Sequence, residues 1–327
     1  MRASFSSRRV TARRRSTRCS RPARCRHRRP PVAIEVPHSA GTAKPRLVPP
    51  PFSCDSHLHV YDARFLAAPG QAVMPRASVA EYRLLQSRLG TTRAVVVQPR
   101  ANGTDNTVTV DAVAQLGLAS ARGVAVLHPS ASDAQLRELD AAGIRGLRIS
   151  AHEPLQGVCT VDMIEPRAPD PLGWHVQLHL TADQLAANSA MIERLPCRIV
   201  IDHRARLPAG AGSAHPAFAL VRRLLDAGRA WVKLSGPYLD SRTGGPAWAD
   251  VAGGAKALAA AAPERMLWGS DWPHPTEKDA KPDDAALLDV LADWAPHEAA
   301  RRRILVTNPC ELYGFEPPQP TLPEETP

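Results

Sequence analysis

The segment Cys54-Asp55-Ser56-His57-Leu58-His59 sets two imidazoles one residue apart. Much later, Met266-Leu267-Trp268-Gly269-Ser270-Asp271-Trp272-Pro273-His274 ends a short apolar run with a carboxylate. Side chains alternate across a strand, so His57 and His59 point the same way if the first segment is a strand. If the two strands are neighbours, both histidines and Asp271 converge at one end of them. Two histidines and a carboxylate brought together in this way form a candidate site for chemistry.

First and last strands become neighbours in a closed barrel of parallel strands. From residue 52 onward, eight short apolar runs read as buried parallel strands: 52–58, 93–98, 123–127, 145–149, 175–180, 198–202, 231–235 and 266–270. Segments of helical period follow most of them. Ser78–Leu89 places Val79, Tyr82, Leu85 and Leu89 on one face. Thr104–Leu116, Ser132–Ala142, Phe218–Ala227, Trp248–Ala261 and Asp284–Trp294 follow other runs. Thr181-Ala-Asp-Gln184 is a capping-box pattern that opens a helix over Ala182–Leu195. The expected fold class is therefore α/β, a distorted (β/α)8 TIM barrel. A doubly wound open sheet is the runner-up, but no Gly-x-Gly-x-x-Gly turn supports it. Three prolines in Glu165–Pro171 make a regular helix improbable between the fourth and fifth strands.

Barrels of this kind keep their chemistry at the C-terminal ends of the strands. Polar residues gather there: His57 and His59, then Gln98, His128, Arg148, His179, Asp202-His203, Ser235 and Asp271. A purely structural barrel has no use for so many ionisable groups at its rim. Each also has a bland reading. A lone histidine is usually a satisfied core or surface residue, and Arg148 could serve a salt bridge to a neighbouring loop. His175 shares a face with His179 but lies near the strand's start, so it reads as structural. His128 and His274 are balanced between the two readings. Trp272 and Pro273 read as loop-shaping residues.

The net charge of +9 belongs to one end of the chain. Residues 1–30 contain 12 arginines and no acidic residue, and the rest carries −3. The charge is therefore no argument for nucleic-acid binding by the folded part. Residues 1–49 read as a disordered Arg/Pro-rich extension and linker, 50–316 as the barrel, and 317–327 as a disordered C-terminal tail. No apolar segment follows Arg8-Arg9, which argues against an export signal. No run has the length of a membrane helix. The six cysteines form no close Cys-x-x-Cys pair, which points to free thiols in a reducing cytoplasm.

These segments resemble the amidohydrolase superfamily. Within it they resemble the branch that includes 2-pyrone-4,6-dicarboxylate lactonase, sulfomuconolactone hydrolase and galactarolactone isomerase. The resemblance is carried by Cys54–Tyr61, Val95–Gln98, Gly103–Asn106, Ala121–Ala125, Ala142–Arg148, Gly173–His179, Val232–Gly236, Leu267–Pro275 and Asn308-Pro309. It implies hydrolysis of a small anionic lactone. It implies that His57, His59 and His203 polarise the carbonyl, that Asp271 takes the proton from water, and that Arg148 grips a substrate carboxylate. His179, Gln98, Arg242, Tyr238 and His128 complete the expected substrate-binding set. No cofactor is required on this reading. Other relatives hold zinc, and one Zn²⁺ on His57, His59, His179 and Asp271 is the alternative. The expected partner is a small lactone or carboxylate, with no nucleic acid and no membrane; the oligomeric state stays open.

The chain departs from the pyrone lactonase pattern in several places. Pro237-Tyr238-Leu239 lacks an arginine that the pattern places there, and Arg242 is the candidate substitute. A tyrosine is missing near Val73-Met74, and His179 stands where the pattern has tyrosine. Arg148 occupies the position of the bridging carboxylated lysine of binuclear members, which argues against a two-metal site. The alternatives are lactone isomerisation, metal-dependent decarboxylation, or a degenerate barrel that only binds a ligand.

Overall fold

The structure, a computed structural model, describes residues 34–150 and 172–317. Its strands are β1 (Cys54–Leu58), β2 (Arg93–Val97), β3 (Ala121–Ala125), β4 (Ile144–Ser150), β5 (His175–His179), β6 (Arg198–Ile201), β7 (Ala230–Leu234) and β8 (Met266–Trp268). All are parallel and adjoin in chain order. The expected (β/α)8 barrel is borne out. β8 meets β1 through a Leu58–Trp272 bridge, with His59 N donating to Trp272 O at 2.8 Å and Asp271 N to His57 O at 2.8 Å. The seam of the barrel thus runs through the two motifs.

The helices are α1 (Val79–Leu89), α2 (Thr107–Leu116), α3 (Asp133–Ala141), α4 (Ala182–Ala187), α5 (Ser189–Arg194), α6 (Pro216–Asp226), α7 (Ala249–Ala261), α8 (Asp284–Trp294), α9 (Glu298–Arg302) and α10 (Asn308–Tyr313). Capping boxes start three of them: Ser78 with Glu81, Ser132 with Gln135, and Thr181 with Gln184. Each satisfies amide protons that the first turn cannot pair internally. The single helix expected over Ala182–Leu195 is two short ones. Asn188 stands at the break, and its amide donates to Gln184 O at 2.8 Å, competing with the helical ladder. β3 ends two residues before the expected limit of 127 because Val126 N donates to Asn106 Oδ1 at 2.9 Å.

Two apolar layers hold the barrel. The outer layer lies between strands and helices, for instance Val96, Ile199, Val232, Leu220 and Leu258, all buried. The inner one fills the barrel's lower end with Cys54, Val95, Val97, Val124, Val200, Trp231, Leu267 and Tyr313. Fully burying one such side chain contributes about 1.5–3 kcal/mol. Strict alternation from Cys54 would turn His57 outward. A register irregularity between Asp55 and Leu58 interrupts the β1 ladder, and the upper part of β1 presents His57 inward above Cys54.

One boundary needs correction. Residues 34–49, expected within a disordered extension, pack along the barrel. Val36 is buried, and Leu47 N donates to Asp289 Oδ1 at 2.8 Å. The buried Arg88 guanidinium donates to Gly41 O at 2.7 Å, Ser39 Oγ at 2.6 Å and Asp283 Oδ1 at 3.0 Å. The expectations for residues 1–33, for Glu165–Pro171 and for 318–327 lie outside the described residues. No described helix is long and apolar enough to cross a membrane. Cys54 and Cys310 are free thiols.

Candidate active site

Asp55 binds the two motifs together. Its buried carboxylate accepts from Ser270 N at 2.9 Å, Ser270 Oγ at 2.6 Å, Tyr82 OH at 3.2 Å and His57 N at 3.2 Å. Burial raises its pKa to about 6, against the pull of those donors. Gly269 makes the close approach feasible. A Cβ at Gly269 would lie 2.6 Å from His57 Cβ.

Asp271 then leaves β8 in a left-handed conformation, φ 64°, which is strained for a residue with a side chain. The turn aims its carboxylate at the histidines. Oδ1 lies 3.6 Å from His57 Nε2 and 3.6 Å from His59 Nε2. Oδ2 accepts from Tyr238 OH at 2.7 Å. Burial alone would raise this carboxyl, but His203, His59 and His57 outweigh it and hold the group well below the usual carboxylate range. Tyr238 OH also meets His274 Nδ1 at 3.0 Å, and His274 Nε2 lies 3.2 Å from Asp284 Oδ2.

His59 has a defined tautomer. Its Nδ1 is 2.8 Å from Val97 O, and a carbonyl can only accept, so Nδ1 carries the proton. When the ring is neutral, Nε2 is the acceptor that faces Asp271.

A buried charged layer lies beneath. Asp202, at the end of β6, accepts at Oδ2 from Arg148 Nε and Gln177 Nε2, both at 3.1 Å. Lys233 Nζ donates to Gln177 Oε1 at 2.7 Å and stands 3.8 Å from Asp202 Oδ1. It also lies 3.4 Å from His57 Nδ1. Burial lowers Lys233 to about 8, with Asp202 opposing. Asp202 is held well below its usual range: burial pushes it up, and His57, Arg148 and Lys233 outweigh that. Burial lowers both His57 and His203 to about 3, which leaves both rings neutral at ordinary pH.

His203 follows Asp202 through an unusual turn. Residues His203, Arg204, Ala205 and Arg206 have φ of 49°, 57°, 60° and 50°. Left-handed helical backbone costs roughly 1–2 kcal/mol per residue with a Cβ. Asp240 anchors the turn, accepting from Arg204 Nη2 at 3.0 Å and Arg206 Nε at 2.9 Å. The turn brings the His203 ring within 4.8 Å of the His57 ring, centroid to centroid, and Nδ1 within 3.0 Å of Ser235 Oγ.

Above this layer opens a cavity of about 580 Å³. His59, Gln98, Arg148, His179, His203, Tyr238 and Asp271 all line it. Arg148 is fixed at Nε, and neither Nη makes a hydrogen bond among the described residues, so the fork faces the cavity. Gln98 borders the space but is engaged with its own loop. It donates to Asp105 O at 2.8 Å and accepts from Thr109 Oγ1 at 2.6 Å. His57 is fully buried behind Asp271 and does not line the cavity.

Two expected residues fall outside. His128 is exposed, with Nδ1 2.6 Å from Ser130 Oγ in its own turn. Arg242 is exposed and lines a separate groove with Trp248 and Lys281; its backbone N donates to Asp250 Oδ2. The compact donor cluster also differs from the expected metal set. His57, His203 and Asp271 bring ligand atoms within 4.8 Å of one another. His179 instead meets Ser150 Oγ at 2.9 Å through Nδ1. Arg206 and Lys233 were missed. A lysine inside the apolar run Val232-Lys-Leu was a readable signal, as was an arginine three residues after His203.

Residues 54–315 match the family profile described as Amidohydrolase. The chain is 36% identical over 290 residues to a 2-pyrone-4,6-dicarboxylate hydrolase of Comamonas testosteroni, covering 85% of this chain and 95% of that protein. It is 37% identical over 269 residues to a 4-sulfomuconolactone hydrolase of Rhizobium radiobacter, covering 80% and 89%. It is 33% identical over 291 residues to a D-galactarolactone isomerase of Agrobacterium fabrum, covering 86% and 97%.

Proposed function

This chain belongs to the amidohydrolase family, and we propose that it hydrolyses a small carboxylated lactone with Asp271 as the base. One observation carries the reading: a buried, ionised carboxylate faces two imidazoles at 3.6 Å beside a cavity that an anchored arginine overlooks. Asp271 accepts the proton of the attacking water, and His59 Nε2 accepts the water's other hydrogen bond. His203 borders the cavity and polarises the lactone carbonyl. Arg148 presents its planar fork to a substrate carboxylate, a match in shape and charge. Tyr238 holds the second oxygen of Asp271. His179 contributes a polar wall.

The donor set of His57, His203 and Asp271 fits one divalent ion such as Zn²⁺, which those residues would hold and which would act as a Lewis acid on the carbonyl. The proposed steps use the side chains alone and need no cofactor. The free thiols of Cys54 and Cys310 fit a reducing cytoplasm.

Lactone isomerisation is the second reading, because the similarity to the galactarolactone isomerase nearly equals that to the hydrolases. A panel of carboxylated lactones, followed by acid release and by NMR, separates them. Hydrolysis releases acid and opens the ring; isomerisation changes the ring without net acid. Asp271→Asn should lower kcat about 10²–10⁴-fold, the usual worth of a general base. A folded Asp271→Asn variant within a few-fold of wild type would overturn the role of Asp271.

A further inference from the structure

We propose that Lys233 is a positioning residue that fixes the tautomer of His57 and turns its Nε2 proton toward Asp271. The proposal rests on the reading of Asp271 as the base. Lys233 is fully buried, and its Nζ approaches Gln177 Oε1 from β5 at 2.7 Å and His57 Nδ1 from β1 at 3.4 Å. An ammonium has donors and no acceptor. The ring nitrogen facing it must therefore offer a lone pair. His57 Nδ1 is bare, and in a neutral ring the proton sits on Nε2.

A second group competes for that nitrogen. Asp202 Oδ1 lies 3.3 Å from His57 Nδ1, and a proton on Nδ1 would suit it. That contact stands at ion-pair distance, and Asp202 Oδ1 makes no hydrogen bond among the described residues. The other oxygen of Asp202 accepts from Arg148 and Gln177. Asp202 therefore balances the charges of Lys233 and Arg148, while Lys233 occupies the nitrogen.

The consequence lies at the other side of the ring. Among the described residues His57 Nε2 has no hydrogen-bond partner within normal range, and it faces Asp271 Oδ1 at 3.6 Å. With a proton there, His57 directs a donor at one carboxylate oxygen while Tyr238 holds the other at 2.7 Å. The same proton blocks Nε2 as a metal ligand. Lys233 thereby selects between two uses of one constellation: a braced carboxylate base, or a His57–His203–Asp271 metal site.

Histidine-selective ¹⁵N NMR tests this without any substrate, with the His57 signals identified by their loss in His57→Gln. In the wild type at pH 7, His57 should be the Nε2–H tautomer. In Lys233→Met it should move to Nδ1–H, paired with Asp202. Zinc affinity measured by calorimetry should then rise at least tenfold over wild type, and kcat should fall about tenfold or more with KM nearly unchanged. An Nδ1–H tautomer in the wild type overturns the proposal even if Lys233→Met does not fold. Unchanged tautomer and zinc affinity in a folded Lys233→Met also overturn it. A wild type that shows the Nε2–H tautomer yet opens no lactone supports the role of Lys233 while sinking the functional reading. Lactone opening with an Nδ1–H tautomer does the reverse.

Discussion

The phenol of Tyr238 lies 2.7 Å from Asp271 Oδ2 and 3.0 Å from His274 Nδ1, so one hydroxyl links the two ends of the β8 loop. Burial and the neighbouring Asp271 raise its pKa well above the ordinary value, so it remains a donor. Its position after β7 ties the seventh strand's loop to the eighth strand's carboxylate.

Tyr238→Phe should therefore act on kcat. A hydrogen bond to a charged group is worth about 1.5–3 kcal/mol, which corresponds to roughly a ten- to hundredfold loss if it is maintained through the reaction. The ring is retained, so KM should change little. Steady-state kinetics on the lactone that the panel identifies decide it. A kcat within twofold of wild type would leave Tyr238 a structural residue.

Arg148→Met should act on binding and on stability together. Its Nη groups make no hydrogen bond among the described residues and the side chain lines the cavity, so an anionic substrate should lose roughly ten- to hundredfold in KM. Its Nε is also a partner of the buried Asp202 at 3.1 Å. Removing one member of a buried pair typically costs about 3–5 kcal/mol, an upper bound here because Gln177 and Lys233 remain beside Asp202. Thermal melts should therefore show a lower Tm. A raised KM with an unchanged Tm would mean that Asp202 is adequately satisfied without Arg148.

The strand order was legible because the apolar runs have strand length and recur with helices between them, as in Arg93-Ala-Val-Val-Val97. His57, His59 and Asp271 were legible because two motifs at a barrel's seam must meet. Other features depend on tertiary geometry that spacing does not encode. Arg242 lies near Tyr238 in sequence, yet the turn held by Asp250 points it to the neighbouring groove. His128 follows β3 but is drawn back by Ser130. The grouping of His203 with His57 needs a left-handed run over His203–Arg206, which no residue type there announces.

The N-terminal segment gives a truncation test. Trp272, the residue after Asp271, donates from Nε1 to Pro37 O at 2.8 Å, and the His38 ring meets its ring edge-on at 5.8 Å. Ser39 Oγ accepts from Asp284 N at 3.2 Å, behind His274. A chain starting at Ala33 keeps these contacts and should match the full chain in Tm and kcat. A chain starting at Lys44 loses them and leaves the Arg88 guanidinium without its partners at Ser39, Ala40 and Gly41. It should melt lower and turn over more slowly. Equal Tm and kcat for both truncations would show that the segment does not support the β8 loop.

His175 supplies a pH test away from the cavity. It is fully buried near the barrel's lower end, its ring meets Tyr313 edge-on at 5.4 Å, and neither ring nitrogen meets hydrogen-bond geometry with a partner among the described residues. Burial lowers its pKa to about 3 from the ordinary 6.5, with the charge of Lys233 adding to the effect. Below pH 6.5 the unfolded chain takes up a proton that the folded chain refuses. Stability therefore falls as pH drops from 6.5 toward 3, by about 1.4 kcal/mol per pH unit for one such histidine. His57 and His203, also lowered to about 3, add slope of the same sign. The depressed carboxyls of Asp202 and Asp271 act lower. Their contribution is present above the ordinary value of 3.8 and is lost as pH falls below it. His175→Phe keeps a flat ring over Gly146 and removes one titrating group. Between pH 6 and pH 4, urea denaturation should show a dependence on pH shallower by about 1.4 kcal/mol per unit than in the wild type. Parallel pH dependences for the two proteins would mean that His175 takes up its proton without unfolding the barrel.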